Sequence, residues 1–314
     1  MSGLAPDSIH LGNVGLMSTT FANEVEQGQR FEFGKNWQSF LTTLDTGRIQ
    51  IAEQSLRSML GVESLAGKTF LDIGSGSGLF SLCARRLGAK VTSFDYDPSS
   101  VACTAELRRR YFPEDADWRI ERGSALDADY LGTLGQFDVV YSWGVLHHTG
   151  NMWLGLENAA MRTLPEGRLF IALYNDQGWR SRWWTKVKRL YCSGWYGRTI
   201  VKAIYIPYWT ARACLTSILR RKNGFAAYRA KRGMSIYHDW IDWLGGYPFE
   251  VARVEDIFHF YRARGFNLLN LITTDSLGNN EWVFINSATV PPPLTSEGAT
   301  QGQPMVSRKG TSTK

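Results

Sequence analysis

The chain has 314 residues, 44% hydrophobic and 20% charged, enough apolar material for one large domain or two ordinary ones and too much for a wholly disordered polymer. No run of about 18 apolar residues occurs, which argues against a spanning helix. The net charge of +6 is unevenly placed: Gly178–His238 holds 14 Lys and Arg and no Asp or Glu, so the remaining residues carry −8. Such asymmetry points to a separate element facing an anionic surface or ligand.

Residues 1–20 are polar and turn-rich, a loose arm that lacks the basic start and apolar core of a secretory signal. Thr46–Leu60 has apolar residues at helical spacing and stops at Gly61. An α/β alternation follows, with strands predicted at Thr69–Ile73, Lys90–Asp95, Asp117–Arg122, Asp138–Ser142 and Arg168–Tyr174. Helices are predicted between them at Leu79–Leu87, Ser99–Tyr111 and Trp153–Thr163. That repetition predicts a doubly wound, Rossmann-like α/β sheet. The pattern breaks over Asn175–Phe249 and resumes with a helix at Val254–Arg264 and strands at Asn267–Thr274 and Glu281–Asn286. The predicted organisation is an arm and lid segment (1–45), an α/β core (46–174) and a basic, aromatic, helical insertion after the fifth strand (175–249). The last part of the core (250–286) and a disordered, Pro/Ser/Thr/Gly-rich tail (287–314) complete it.

The strongest local signal is Phe70-Leu71-Asp72-Ile73-Gly74-Ser75-Gly76-Ser77-Gly78, an apolar strand ending in three glycines spaced by two, with a helix beyond. Glycine allows positive φ and leaves no side chain between backbone and ligand, and a helix start presents free N–H groups. A tight turn alone would also use glycine. The second strand adds weight, because Asp95 ends it 17 residues after Gly78, where a carboxylate can accept both hydroxyls of a ribose. Tyr96 is placed to cover an adenine. Asp97, before Pro98, reads as a turn residue, and the small Ser124 and Ala125 end the third strand.

In the order DIGSGSG, FDYDP, GSA, FDVVYSWGVLHH, the stretch Thr69–Tyr174 resembles the class I S-adenosylmethionine (SAM)-dependent methyltransferases. The resemblance implies SAM as cofactor and a seven-stranded sheet. It assigns Asp72, Gly74, Ser75, Gly76 and Gly78 to the methionine part, Asp95 and Tyr96 to the ribose and adenine side, and Ser124 and Ala125 to the adenine. Ser142 and Trp143 would face the sulfonium. Related enzymes fold an N-terminal segment over the cofactor, which makes Lys35 and Trp37 candidates; ordinary packing of a helix on the sheet would equally explain Trp37. The order of elements and the YPFE segment look like bacterial relatives of the ubiquinone-biosynthesis O-methyltransferases.

Methyl transfer needs an acceptor lone pair in line with the sulfonium carbon and sometimes a base. His147 and His148 follow the fourth strand, and an imidazole can deprotonate a hydroxyl near neutrality; His148 is preferred, and structural packing is the alternative for either. Tyr174, Tyr237, His238 and Asp239 are candidates for holding the acceptor. The four cysteines (Cys83, Cys103, Cys192, Cys214) are scattered, and no carboxylate or histidine group has ligand spacing, so neither disulfides nor a metal is expected, and a reducing cytoplasm fits. The expected acceptor is an oxygen or nitrogen of a small molecule, quinone-like, natural-product or sugar. The basic insertion leaves three readings: an acceptor lid, a peripheral contact with an anionic membrane, or, ranked lower, a grip on RNA. A SAM-binding interaction protein is the non-enzymatic alternative.

Overall fold

The computed structural model describes residues 20–219 and 236–287, and for residues 35–36, 38–39, 218–219 and 236–239 the backbone alone. The arm over 1–19 and the tail over 288–314 lie outside the described residues.

Seven strands form one sheet: β1 (Thr69–Ile73), β2 (Lys90–Asp95), β3 (Trp118–Arg122), β4 (Phe137–Trp143), β5 (Thr163–Tyr174), β6 (Phe266–Ile272) and β7 (Asn279–Asn286). Their order is β3-β2-β1-β4-β5-β7-β6. The first five are parallel, and β7 runs antiparallel to both β5 and β6. The chain steps outward from β1 to β3 and returns to place β4 beside β1. That reversal opens a crevice at the carboxyl ends of β1 and β4, the place where open α/β sheets take ligands.

Helices cover both faces: α1 (residues 20–26), α2 (Gly34–Leu41), α3 (Thr46–Leu60), α4 (Leu79–Arg86), α5 (Pro98–Tyr111), α6 (Ala128–Leu134), α7 (Met152–Met161) and, after the insertion, α11 (Val254–Arg262). Side chains alternate across each strand. Phe70, Val91, Val139, Tyr141 and Phe170 pack on one face with Ile49, Leu56, Leu82 and Leu107. Leu71, Ile73, Phe94, Val140 and Ile171 pack on the other with Leu156, Ile257 and Tyr261. Aspartates start α3, α5 and α6: Asp45, Asp97 and Asp127 each accept a backbone N–H of the first turn, satisfying donors that a helix start leaves free. Gly61, at φ 63°, ends α3 in the left-handed conformation that glycine adopts without strain.

Two features depart from the sequence pattern. Helix α6 has one buried residue, Leu131, too few to make a periodic signal. Strand β5 starts at Thr163, five residues before the predicted Arg168; Pro165-Glu166-Gly167 reads as a turn, yet Glu166 at φ 60° absorbs it beside an irregular register between β4 and β5.

The insertion is helical: α8 (Trp179–Cys192), α9 (Trp195–Leu219) and α10 (Ile236–Gly245). It has its own small core of Val187, Tyr191, Cys192, Val201 and Leu244, against which Phe31, Trp184 and Trp209 pack. The N-terminal segment is wedged into it. The N–H of Phe31 donates to Tyr247 O at 2.9 Å, and the Phe31 ring lies 6.3 Å from Tyr191.

Candidate active site

The glycine turn after β1 is conformationally committed. Gly74, Gly76 and Gly78 have φ of 78°, 54° and 79°. A Cβ at Gly74 would lie 2.3 Å from Val145, and one at Gly78 would lie 2.8 Å from the Thr104 backbone. At Gly76 it would meet the Trp37 indole at 3.2 Å, so Trp37 sits directly over the turn. The turn is pinned from below. Phe94 O accepts the N–H groups of Gly74 and Ser75 at 2.9 and 3.0 Å, and the Ser75 hydroxyl pairs with that of Thr104 at 2.9 Å.

Asp95 faces this turn, at the end of β2. One carboxylate oxygen accepts Gly76 N–H at 2.9 Å and the other accepts Asp97 N–H at 2.9 Å. Each keeps a further lone pair. Burial pushes the Asp95 carboxyl up to about 6, against the pull of those two N–H groups. Asp97 is the structural residue its sequence position suggested: it accepts from Gly34 N–H at 2.7 Å and from Ser99 N–H at 2.8 Å. Asp72 lies deeper. Trp118 Nε1 donates to Ser93 Oγ at 2.9 Å, the Ser93 and Ser81 hydroxyls pair at 2.7 Å, and Ser81 donates to the Asp72 carboxylate. Burial is the main reason its carboxyl rises to about 7, with Ser81 opposing and Asp95 reinforcing.

Tyr96 is clasped by the N-terminal segment. Its hydroxyl donates to Glu24 at 3.1 Å, and the Arg30 guanidinium lies 5.0 Å over its ring. Ser124 accepts Leu126 N–H at 3.2 Å. Ala125 is buried, its carbonyl accepting Asn158 Nδ2 at 2.9 Å. Ser142 is buried and donates to Ile73 O at 3.0 Å, which ties β4 to β1 across the crevice. Trp143 is 42% exposed and bonds Glu281 of β7. The Lys35 side chain lies outside the described residues.

The two histidines occupy a short 3-10 turn, Leu146–His148, and meet β5 and the end of the insertion. Their rings are 4.4 Å apart, and Tyr174 lies 4.1 Å from His147 and 5.6 Å from His148. His148 Nδ1 is 2.6 Å from Pro248 O. A carbonyl only accepts, so Nδ1 carries the proton and Nε2 holds the free lone pair. Burial above all, then the nearby Lys188 and Arg30 cations, hold His148 down near about 3, the Pro248 carbonyl opposing; its imidazole is neutral at physiological pH. His147 is fully buried, and Tyr174 N–H points at its Nδ1 at 3.4 Å. Its Nε2 is buried without a hydrogen-bond partner, and burial drives its pKa far below the usual histidine range. Tyr237, His238 and Asp239 begin helix α10; their side chains lie outside the described residues.

Three site features carry no motif and escape a sequence reading. Arg30 donates to the carbonyls of His148 and Thr149 at 2.9 and 3.3 Å, which joins the N-terminal segment to the histidine loop. Glu250 accepts the N–H groups of Gly150 and Met152 at 3.1 Å each. Lys188 of α8 is fully buried, its ammonium 4.2 Å over Trp243 and 4.8 Å over Phe249, donating to Trp243 O. Burial lowers it to about 7, Cys192 and Asp242 opposing. Among the described residues, no group of three or more His, Cys, Asp or Glu is placed to hold a metal ion.

The stretch that carries the glycine turn, Asp95 and the histidines is the part that comparison reaches: residues 71–169 match the family model described as a methyltransferase domain. Over this stretch the chain is similar to methyltransferase domains. The chain is 33% identical over 111 residues to the ubiquinone biosynthesis O-methyltransferase of Xanthomonas oryzae pv. oryzae, covering 35% of this chain and 45% of that protein. To the protein of the same name from Methylobacterium sp. it is 30% identical over 119 residues, 38% and 46% of the two chains. The matched stretch thus spans under half of these relatives. Among solved structures, magnesium protoporphyrin IX methyltransferase from Synechocystis PCC 6803 with bound SAM is similar at 13% identity, with a TM-score of 0.47, covering 91% of this chain and all of that one.

Proposed function

We propose that the chain is a SAM-dependent methyltransferase acting on an oxygen of a small molecule. The observation that carries this reading is the glycine cradle, where side-chain-free positions at positive φ face Asp95, at the end of the strand that neighbours β1. The residues present suit the group: the glycine turn presents backbone without side chains beneath Trp37, Asp95 retains lone pairs for two ribose hydroxyls, and Tyr96 with Ser124 and Ala125 would border the adenine. Asp72 supports the turn from beneath through Ser81, while Ser142 and Trp143 lie on the acceptor side. When bound, SAM supplies an electrophilic methyl group on a positively charged sulfur.

The chain's own residues have three tasks. The aromatic lid of Phe33, Tyr174, Trp243 and Phe249 around His148 excludes water and stacks a flat acceptor. His148 Nε2 accepts the hydrogen bond of the acceptor hydroxyl, which points an oxygen lone pair at the methyl, and takes its proton as charge is lost from oxygen. Burial above all, with the Arg30 guanidinium nearby, keeps the His148 imidazole neutral before the reaction. An oxygen acceptor is preferred to nitrogen because the relatives in hand are named O-methyltransferases. An RNA acceptor is not favoured, since the described residues around His148 are mainly packed aromatic rings. The test is release of S-adenosylhomocysteine from SAM in the presence of catechol and hydroquinone acceptors. Turnover with at least one is expected; SAM binding without turnover on any oxygen, nitrogen or RNA acceptor would favour the non-enzymatic reading.

A further inference from the structure

The insertion hides one face and displays another. On α9, Val201, Tyr205 and Trp209 turn inward to the small core. The opposite side carries Tyr196, Ile200, Ile204, Tyr208 and Leu215, with exposures from 49% to 67%. These residues recur every four or so positions, so they form one stripe, about 28 Å long at 1.5 Å per residue. Pro207 and the small Ala203 and Ala211 fill it, and the exposed Arg212 stands at its edge between Tyr208 and Leu215. On α8 the outward residues alternate in kind: Trp179, Trp183 and Leu190 are exposed beside the exposed Arg182, Lys186 and Arg189. The two helices are joined by Trp183 Nε1 donating to the Tyr205 hydroxyl at 3.1 Å. Arg198 and Lys202 of α9 lie 5.7 and 5.9 Å over Tyr191 of α8.

We propose that this face docks on an anionic lipid bilayer. An exposed apolar stripe of this length has a cost in water unless something covers it, and three occupants are conceivable. A second copy of the same face is disfavoured by charge. The stretch from Gly178 to His238 holds 14 cations and no anion, so two such faces would repel with no partner of opposite sign. Nucleic acid matches the cations but not an exposed stripe of Tyr, Ile and Leu about 28 Å long. A bilayer with anionic headgroups matches both: tryptophan and tyrosine suit the interface, aliphatic side chains enter the acyl boundary, and lysine and arginine meet the headgroups. Among the described residues no helix is long and apolar enough to cross a membrane, so α9 lies in the surface plane. Because lipid binding requires no reaction, this inference stands or falls apart from the methyl-transfer reading.

The test is co-sedimentation of the full chain with phosphatidylcholine vesicles, with and without phosphatidylglycerol. The wild type is expected to bind only the anionic vesicles, and less as salt rises. Ile200→Asp with Ile204→Asp should abolish binding. Arg182→Gln with Lys186→Gln should weaken it about 25-fold, at roughly fivefold per lost cation. All of these residues are exposed, and circular dichroism checks that the variants fold. Failure of the wild type to bind anionic vesicles overturns the proposal, as does full binding by the isoleucine variant. A dimer in solution that the isoleucine variant dissociates, without vesicle binding, would assign the face to a second copy. Binding to an RNA oligonucleotide but not to vesicles would assign it to nucleic acid.

Discussion

The two ends of the crevice are made of different materials. On the β1–β2 side the surface is backbone: three glycines at positive φ, a carboxylate that accepts the N–H of Gly76, and a buried hydroxyl relay from Trp118 to Asp72. Almost every group there is fixed by a local hydrogen bond, as a site for one invariant ligand should be. On the β4–β5 side the surface is side chain: two histidines, Tyr174, Phe33, Trp243 and Phe249, held mainly by ring packing and supplied by four separate parts of the chain. The first surface is specified by one continuous stretch, Asp72–Trp118. The second exists only when the N-terminal segment and the insertion close on the sheet. A fold can keep the first and exchange the second, which is how one cofactor site comes to serve many acceptors.

Removing His148 should separate the two ends most sharply. His148→Gln is expected to lower turnover by about 10²–10⁴-fold, the usual worth of a positioned base, while SAM affinity stays within about twofold; both are read from S-adenosylhomocysteine release and calorimetry. Equal losses in both would mean that the ends are one unit. Gly74→Ala acts on the other end. It places a methyl 2.3 Å from the Val145 side chain at φ 78°, and strain plus overpacking of about 2–4 kcal/mol is expected. That appears as a fall in Tm of several degrees together with loss of SAM binding; an unchanged Tm would refute the close packing of the turn on the histidine loop.

How much of this was legible follows the same division. The β1 and β2 boundaries, the glycine turn and the place of Asp95 at the end of β2 were readable because each depends on neighbours close in sequence. Asp97 read only as a turn residue, and its burial, its cap on α5 and its bond to Gly34 were not readable. The turn that brings His147, His148 and Tyr174 together was readable in part, since β4 and β5 both end on the crevice. Arg30, Glu250 and Lys188 were not. Arg30 reaches His148 across 118 positions, and Glu250 reaches Met152 across 98; no spacing rule links such residues. Lys188 looked like one of 14 solvated cations, yet α8 turns it inward with Val187, and only tertiary packing decides which face of a helix is covered.

Lys188 also gives the smallest expected effect. Its folded pKa, about 7, lies below the usual 10.5, so the folded state holds the amine neutral where the unfolded state protonates it. Its contribution to stability is therefore full above about pH 10.5 and is lost as the pH falls toward 7. In Lys188→Met the slope of denaturation free energy between pH 7 and 10 should flatten relative to the wild type. An unchanged slope would show that the amine titrates normally and is not held in the aromatic box.

The central claim is that the glycine turn and Asp95 together form the cofactor site. Calorimetric titration of SAM into the wild type and Asp95→Ala, at pH 7.5 and pH 5, tests it directly. Loss of two charge-assisted hydrogen bonds, at roughly 1–3 kcal/mol in all, predicts binding about 10- to 100-fold weaker in the variant. Because burial pushes the wild-type Asp95 carboxyl up to about 6 and only its ionised form accepts both hydroxyls, wild-type affinity should fall more steeply from pH 7.5 to 5 than that of the variant. In the variant only the Asp72 carboxyl remains to titrate beneath the turn. Equal affinities for the two proteins, with the same dependence on pH, would contradict the account.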